Sequence, residues 1–123
     1  MSNRSDMDLV HDIQEAIQRI ANYLGDMSYD DFCEDIKTQD AVIRNIEIVG
    51  EAAKCISDKL RVKAPHIPWK NMAGMRDRLI HHYFGVNLDI VWQVVAVELP
   101  NLNSEFDIIV DEDKAEDGNK EGG

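Results

Sequence analysis

Arg76, Asp77, Arg78, Leu79, Ile80, His81, His82, Tyr83 and Phe84 hold the residues best suited to chemistry: an arginine, four residues, a histidine, one residue and a tyrosine. The guanidinium is always charged, the imidazole titrates near neutrality, and a phenol both donates and accepts hydrogen bonds. These groups suit a phosphodiester. An RNA strand is cut without a metal when its own 2′-hydroxyl attacks the neighbouring phosphorus. That reaction needs a base of pKa near 7 and a fixed cation for the extra phosphoryl charge. His81 fits the base, or the acid that protonates the leaving oxygen, and Arg76 fits the fork on the phosphate oxygens. Asp77, four residues before His81, is spaced to orient the imidazole or raise its pKa. The blander reading makes Asp77 and His81 a surface pair and Arg76 a carbonyl cap. Tyr83 alone would read as core or rim packing, Arg78 as a solvated or phosphate-steering charge, and His82 as a bystander.

Helix geometry limits this set. Arg76, Ile80 and Tyr83 share one stripe, since steps of four and three stay together. His81 falls five residues from Arg76, about 140° around an ideal helix. One helix therefore places the two badly for a common phosphate. Either the helix loosens before Gly85 and swings His81 round, or a second subunit supplies the complementary set.

The elements that must position these residues read as helices. Leu9, Val10, Ile13, Ala16, Ile17, Ile20 and Leu24 recur at helical spacing and predict a first helix over 8–24, stopped by Gly25. Ser28 is placed to cap a short turn through Tyr29 and Phe32. A second, long helix is predicted over about 38–63 on the stripe Ile46, Val49, Ala53, Ile56 and Leu60. Gly50 interrupts it, which fits a close approach by a neighbouring helix. Pro65 ends it, and Pro68 opens a third helix that runs to about Phe84, before Gly85. A fourth, from about Leu88 to Leu99, is apolar most of the way round, as a helix deep in a bundle or a subunit interface would be. Residues past Ser104 read as a mobile acidic tail, apart from a short element at Phe106–Val110. The expected architecture is an all-α, up-and-down four-helix bundle over 1–103, with an acidic tail over 104–123.

The motif, with its flanking sequence, resembles the HepT toxins within the HEPN group of helical ribonucleases. Arg44 to Lys54, Ile67-Pro68-Trp69, Met72 to Arg76, and Val91-Trp92 through Leu99-Pro100 match in order, over about residues 8–103. The resemblance implies a two-fold homodimer that brings both copies of the motif into one cleft. It implies a metal-independent endoribonuclease acting on tRNA or mRNA, with Arg76 and His81 catalytic, Asp77 in support and no cofactor. It also implies a partner, an MntA-like nucleotidyltransferase antitoxin that transfers AMP to Tyr83. Arg44, Asn45, Glu51 and Arg78 would line the cleft; the plainer reading of the first three is a hydrated helix face. Two other readings stay open: a non-catalytic HEPN-type RNA- or nucleotide-binding partner of a nucleotidyltransferase, and a plain helical dimerisation module.

Charge bears on the same question. The net charge of −11 argues against a strong nucleic-acid binder. Its distribution is uneven. Glu105, Asp107, Asp111, Glu112, Asp113, Glu116, Asp117 and Glu121 crowd the last twenty residues against Lys114 and Lys120. Lys54, Lys59, Arg61, Lys63, Lys70, Arg76 and Arg78 face only Asp58 and Asp77 within 54–78. A local basic segment attracts phosphate even on an acidic protein, in weak and salt-sensitive contact. Nothing is long and apolar enough to span a membrane, and the polar start has no signal-peptide character. Cys33 and Cys55 have no metal-type spacing and read as reduced thiols of a cytoplasmic protein. His11 and His66 lack partners at metal or triad spacing, and no Cys/His/Asp cluster suggests a metal.

Overall fold

The computed structural model describes residues 4–79 and 85–122, with side chains to Asp117. Its described residues are helical with no strand, matching the expected all-α class. The first helix, α1 (Asp6–Leu24), starts at a capping box: the Ser5 hydroxyl accepts from the Asp8 amide, and the Asp8 carboxylate accepts from the Ser5 amide. Leu9, Val10, Ile13, Ala16, Ile17 and Ile20 form its buried stripe, and Gly25, at φ 50°, supplies the stop. A second capping box, Ser28 with Asp31, opens α2 (Tyr29–Glu34), which buries Phe32.

The long helix α3 (Ile36–Cys55) packs along α1 and forms the centre of the molecule. Asp35 caps it, accepting from the Thr38 amide at 3.0 Å and the Thr38 hydroxyl at 2.8 Å. These bonds favour the charged form and hold the Asp35 carboxyl below the usual range. The glycine expectation holds. A Cβ on Gly50 would sit 3.4 Å from the Met72 carbonyl oxygen and 3.6 Å from that of Ala73, so a backbone does lie against this face.

The predicted helix over 38–63 is in fact two. Ile56 turns extended at ψ 136°, and Ser57 caps a separate helix, α4 (Asp58–Lys63). Ile56 and Leu60 are buried as the stripe required, so apolar spacing hid the break. The Arg61 side chain closes the end of α3, donating to the Ala53 carbonyl at 2.9 Å and the Ile56 carbonyl at 3.2 Å. The Ser57 amide and hydroxyl donate to the Asp6 carboxylate, tying the start of α4 to the start of α1.

The predicted third helix is also divided. Gly74 separates α5 (Trp69–Ala73) from α6 (Met75–Leu79), and the predicted continuation to Phe84 lies outside the described residues. Trp69 is buried, its indole N–H donating to the Ala64 carbonyl at 3.0 Å. Asn87 caps α7 (Leu88–Gln93), and its amide donates to the Leu79 carbonyl at 2.8 Å, which joins α6 to α7. The Tyr29 phenol donates to Asp89, tying α2 to α7 and pushing the phenol up, while Trp92 packs against Tyr29 and Phe32.

The largest departure comes after Gln93. Val94–Glu98 is a wide π-helical turn, and the chain continues as one helix, α8 (Leu99–Gly122), through the segment expected to be mobile. Pro100 cannot donate a helical hydrogen bond, and the widened turn just before it eases that loss. Leu99, Phe106, Ile109 and Val110 are buried, with the Phe106 ring 5.7 Å from that of Trp69. Burial of these four side chains holds the first half of α8, whatever the acidity of its outer face.

Candidate active site

Met75 and Leu79, four apart on α6, are almost fully buried at 2% and 1% exposure. That inner stripe turns Arg76, Asp77 and Arg78 outward, and all three are exposed. The helix is seated against α3 and α7, so the side chains project from a supported element. The Arg76 and Asp77 side chains make no hydrogen bond or ion pair with another described residue. Arg78 differs. Its two guanidinium nitrogens donate to the two carboxylate oxygens of Glu98 at 3.1 and 3.2 Å, linking α6 to the π-helical turn. The fork meets a carboxylate already in place, so Arg78, expected as a solvated or phosphate-steering charge, is exposed and also paired. His81, His82 and Tyr83 lie outside the described residues, and so does their relation to Arg76.

The other predicted cleft residues sit on α3. Arg44 and Glu51 line a groove against α1 with Leu9, Asp12, Ile48 and Ala52. Asn45 lines an adjoining groove with Asp12, Glu15, Arg19 and Ile48. Arg44 is exposed and only loosely paired with Glu47, at 3.9 Å. Asn45 is not on a hydrated face: it is buried, its amide donates to the Ala41 carbonyl at 2.9 Å, and its side-chain oxygen has no hydrogen-bond partner among the described residues. An acceptor in that condition is an unusual feature of a core.

Side chains of the basic segment lie against acids far along the chain. Lys63 pairs with Glu116, and His66 lies 3.0 Å from Glu105. Glu116, with Glu112 and Asp113 nearby, raises the Lys63 pKa. His66, whose spacing offers no metal or triad partner, is an exposed residue with a carboxylate beside it. A usable signal did exist: Leu99, Leu102, Phe106, Ile109 and Val110 keep helical spacing through the acidic stretch. Among the described residues no group of three or more His, Cys, Asp or Glu side chains could hold a metal. No described helix is long and apolar enough to cross a membrane.

A family model described as ribonuclease HepT-like matches residues 13–109. A candidate RNase of Methanocaldococcus jannaschii is 44% identical over 110 residues, covering 89% of this chain and 91% of its own. A second from that organism is 40% identical over 119 residues, covering 97% and 98%. A Thermococcus cleftensis protein named "Probable ribonuclease HepT" is 45% identical over 104 residues, covering 85% and 94%. No solved structure matches. The all-helical fold, the outward Arg76 on its anchored helix and these likenesses agree: the chain belongs to the HepT-like ribonuclease family.

Proposed function

We propose that this protein is the toxin of a HepT/MntA-type toxin–antitoxin pair, a metal-independent endoribonuclease that cuts tRNA or mRNA. The observation that carries this reading is Arg76, held outward on α6 with no described partner, in a chain of the HepT-like ribonuclease family. Arg76 forks onto the scissile phosphate, and its charge counts most as phosphoryl charge builds in the transition state. His81 takes the 2′-hydroxyl proton or protonates the leaving oxygen, and Asp77 orients it. Arg76 thus supplies the cation and His81 a proton-transfer group, both from protein side chains.

In this reading two copies of the chain form the working unit. Arg76 and His81 diverge by about 140° on a regular helix, and a two-fold partner resolves that geometry. The α1–α3 grooves holding Arg44, Asn45 and Glu51 are candidate walls of the composite cleft. A nucleotidyltransferase antitoxin silences the enzyme by placing AMP on Tyr83. The adenylate brings a phosphodiester and a base close to Arg76, so substrate phosphate loses both its counter-charge and its space.

The test is RNA cleavage in excess EDTA by protein whose intact mass shows an unmodified Tyr83. Parent activity lost in His81→Ala and Arg76→Ala is the expected result. A folded, unmodified dimer that leaves tRNA and mRNA uncut would overturn it in favour of a non-catalytic RNA-binding partner.

A further inference from the structure

The first half of α8 and its second half are held differently. Phe106, Ile109 and Val110 sink into the core, whereas no residue from Asp111 to Asp117 is buried. The second half lies over α4 at a cleft lined by Lys59, Leu60 and Lys63 on one side and Glu112, Asp113 and Glu116 on the other. Asp6, from the start of α1, also reaches it. What holds this end is charge: Lys63 pairs with Glu116, and the acids around it favour its charged form. The same relation recurs along the chain, with Glu105 beside His66 and Glu98 beside Arg78. Carboxylates thus follow the basic segment at three successive points.

Carboxylates held against Lys63 and Arg78 put anions on basic side chains, the same kind of contact that the phosphates of a strand make. Exposed ion pairs are weak and screened by salt, so a strand carrying several phosphates can replace them. We propose that the Lys59–Lys63 face of α4 is a docking surface for the phosphate backbone of RNA, occupied in the free protein by the acidic second half of α8. RNA and the helix end compete for the same lysines. The helix end lifts without unfolding the core, because its apolar anchors stop at Val110. This inference rests on the RNA-cleaving reading for its ligand and adds a second contact surface, away from α6, that governs affinity.

Fluorescence anisotropy with a labelled 2′-O-methyl RNA oligonucleotide separates binding from cleavage, since the blocked hydroxyl cannot attack. The triple variant Glu112→Gln, Asp113→Asn, Glu116→Gln should bind about 10-fold more tightly at low salt. Its slope of log affinity against log salt should steepen by about 1.4, the value for two added phosphate contacts on a single strand. Adding Lys59→Ala and Lys63→Ala should return it to the parent affinity. An equal neutralisation elsewhere, Asp26→Asn, Asp30→Asn and Glu34→Gln, should change binding far less. Equal gains from both neutralisations, a gain that survives loss of the two lysines, or no binding by any variant would overturn the proposal. Cleavage of unmodified RNA, measured in parallel, keeps the two readings apart. An affinity shift without cleavage sinks only the nuclease, and cleavage without the shift sinks only the competition.

Discussion

Arg78 and Glu98 meet in a two-pronged contact, 3.1 and 3.2 Å, that joins the α6 helix to the π-helical turn twenty residues later. Two residues away on the same helix, Arg76 has no such counter-charge among the described residues. Their side chains are 41% and 32% exposed, so the Arg78–Glu98 pair contributes within about 1 kcal/mol. Arg78→Ala should therefore leave urea stability and RNA cleavage near the parent values. Arg76→Ala should lower cleavage at least about 100-fold at unchanged stability, the usual cost of a lost transition-state charge partner. Equal losses in the two variants would refute the division of roles.

Phe106 is fully buried against Trp69. Phe106→Ala should cost about 3–5 kcal/mol in urea unfolding, as a large buried aromatic does. A chain ended after Val110 should fold, and one ended after Asn103 should not. A cooperative transition in the shorter chain would show that α8 is not part of the core.

Gly50 offers a graded test of helix approach. An alanine Cβ would make an ordinary contact with the Met72 carbonyl at 3.4 Å, and alanine favours helix by about 1 kcal/mol over glycine. Gly50→Ala should be neutral or stabilising by up to about 1 kcal/mol. Gly50→Val must push γ-carbons into the backbone of α5 and should cost about 1–3 kcal/mol. Thermal melts of the pair would read both signs.

Acid should weaken the start of α3. The Asp35 carboxyl titrates lower in the folded chain than in the unfolded one, held down by the Thr38 amide and hydroxyl. Its contribution is thus complete above the unfolded value, about 3.9, and is lost as pH falls through the lower folded value. Asp35→Asn keeps a capping side chain but removes the titration. The gap in melting temperature between parent and variant should be larger at pH 7 than at pH 3. A gap independent of pH would mean that the cap carries no charge dependence.

Much of this arrangement was legible in the residues. The stripe from Leu9 to Ile20 gave α1, because a helix with one apolar face has one way to bury it. Gly50 was read correctly from the cost of leaving it unpacked. Ile56 misled, since it kept its place in the apolar stripe while its backbone left the helix; Ser57 followed by Asp58 was the local cue. Composition misled at α8, where acids outnumbered the spaced Leu102, Phe106 and Ile109 that hold it down. Of the two readings of Asn45, a hydrated face or a cleft wall, the hydrated face fails, because a neighbouring carbonyl and the α1 wall enclose it. The partners of Lys63, His66 and Arg78 lie 53, 39 and 20 residues away, and no local pattern encodes such distances. Arg76 was recognised by its neighbours in sequence, and its outward placement follows from Met75 and Leu79.

The packing of Trp69 against Phe106 also sets a schedule. On the ribosome, residues up to Asn103 emerge with the wall over Trp69 still missing, and synthesis proceeds at about 5–20 residues per second. The core closes only when the apolar turn of α8 arrives. A growing chain therefore carries its Arg76 segment for some seconds on an unfinished scaffold, until Phe106 and Ile109 emerge to cover it.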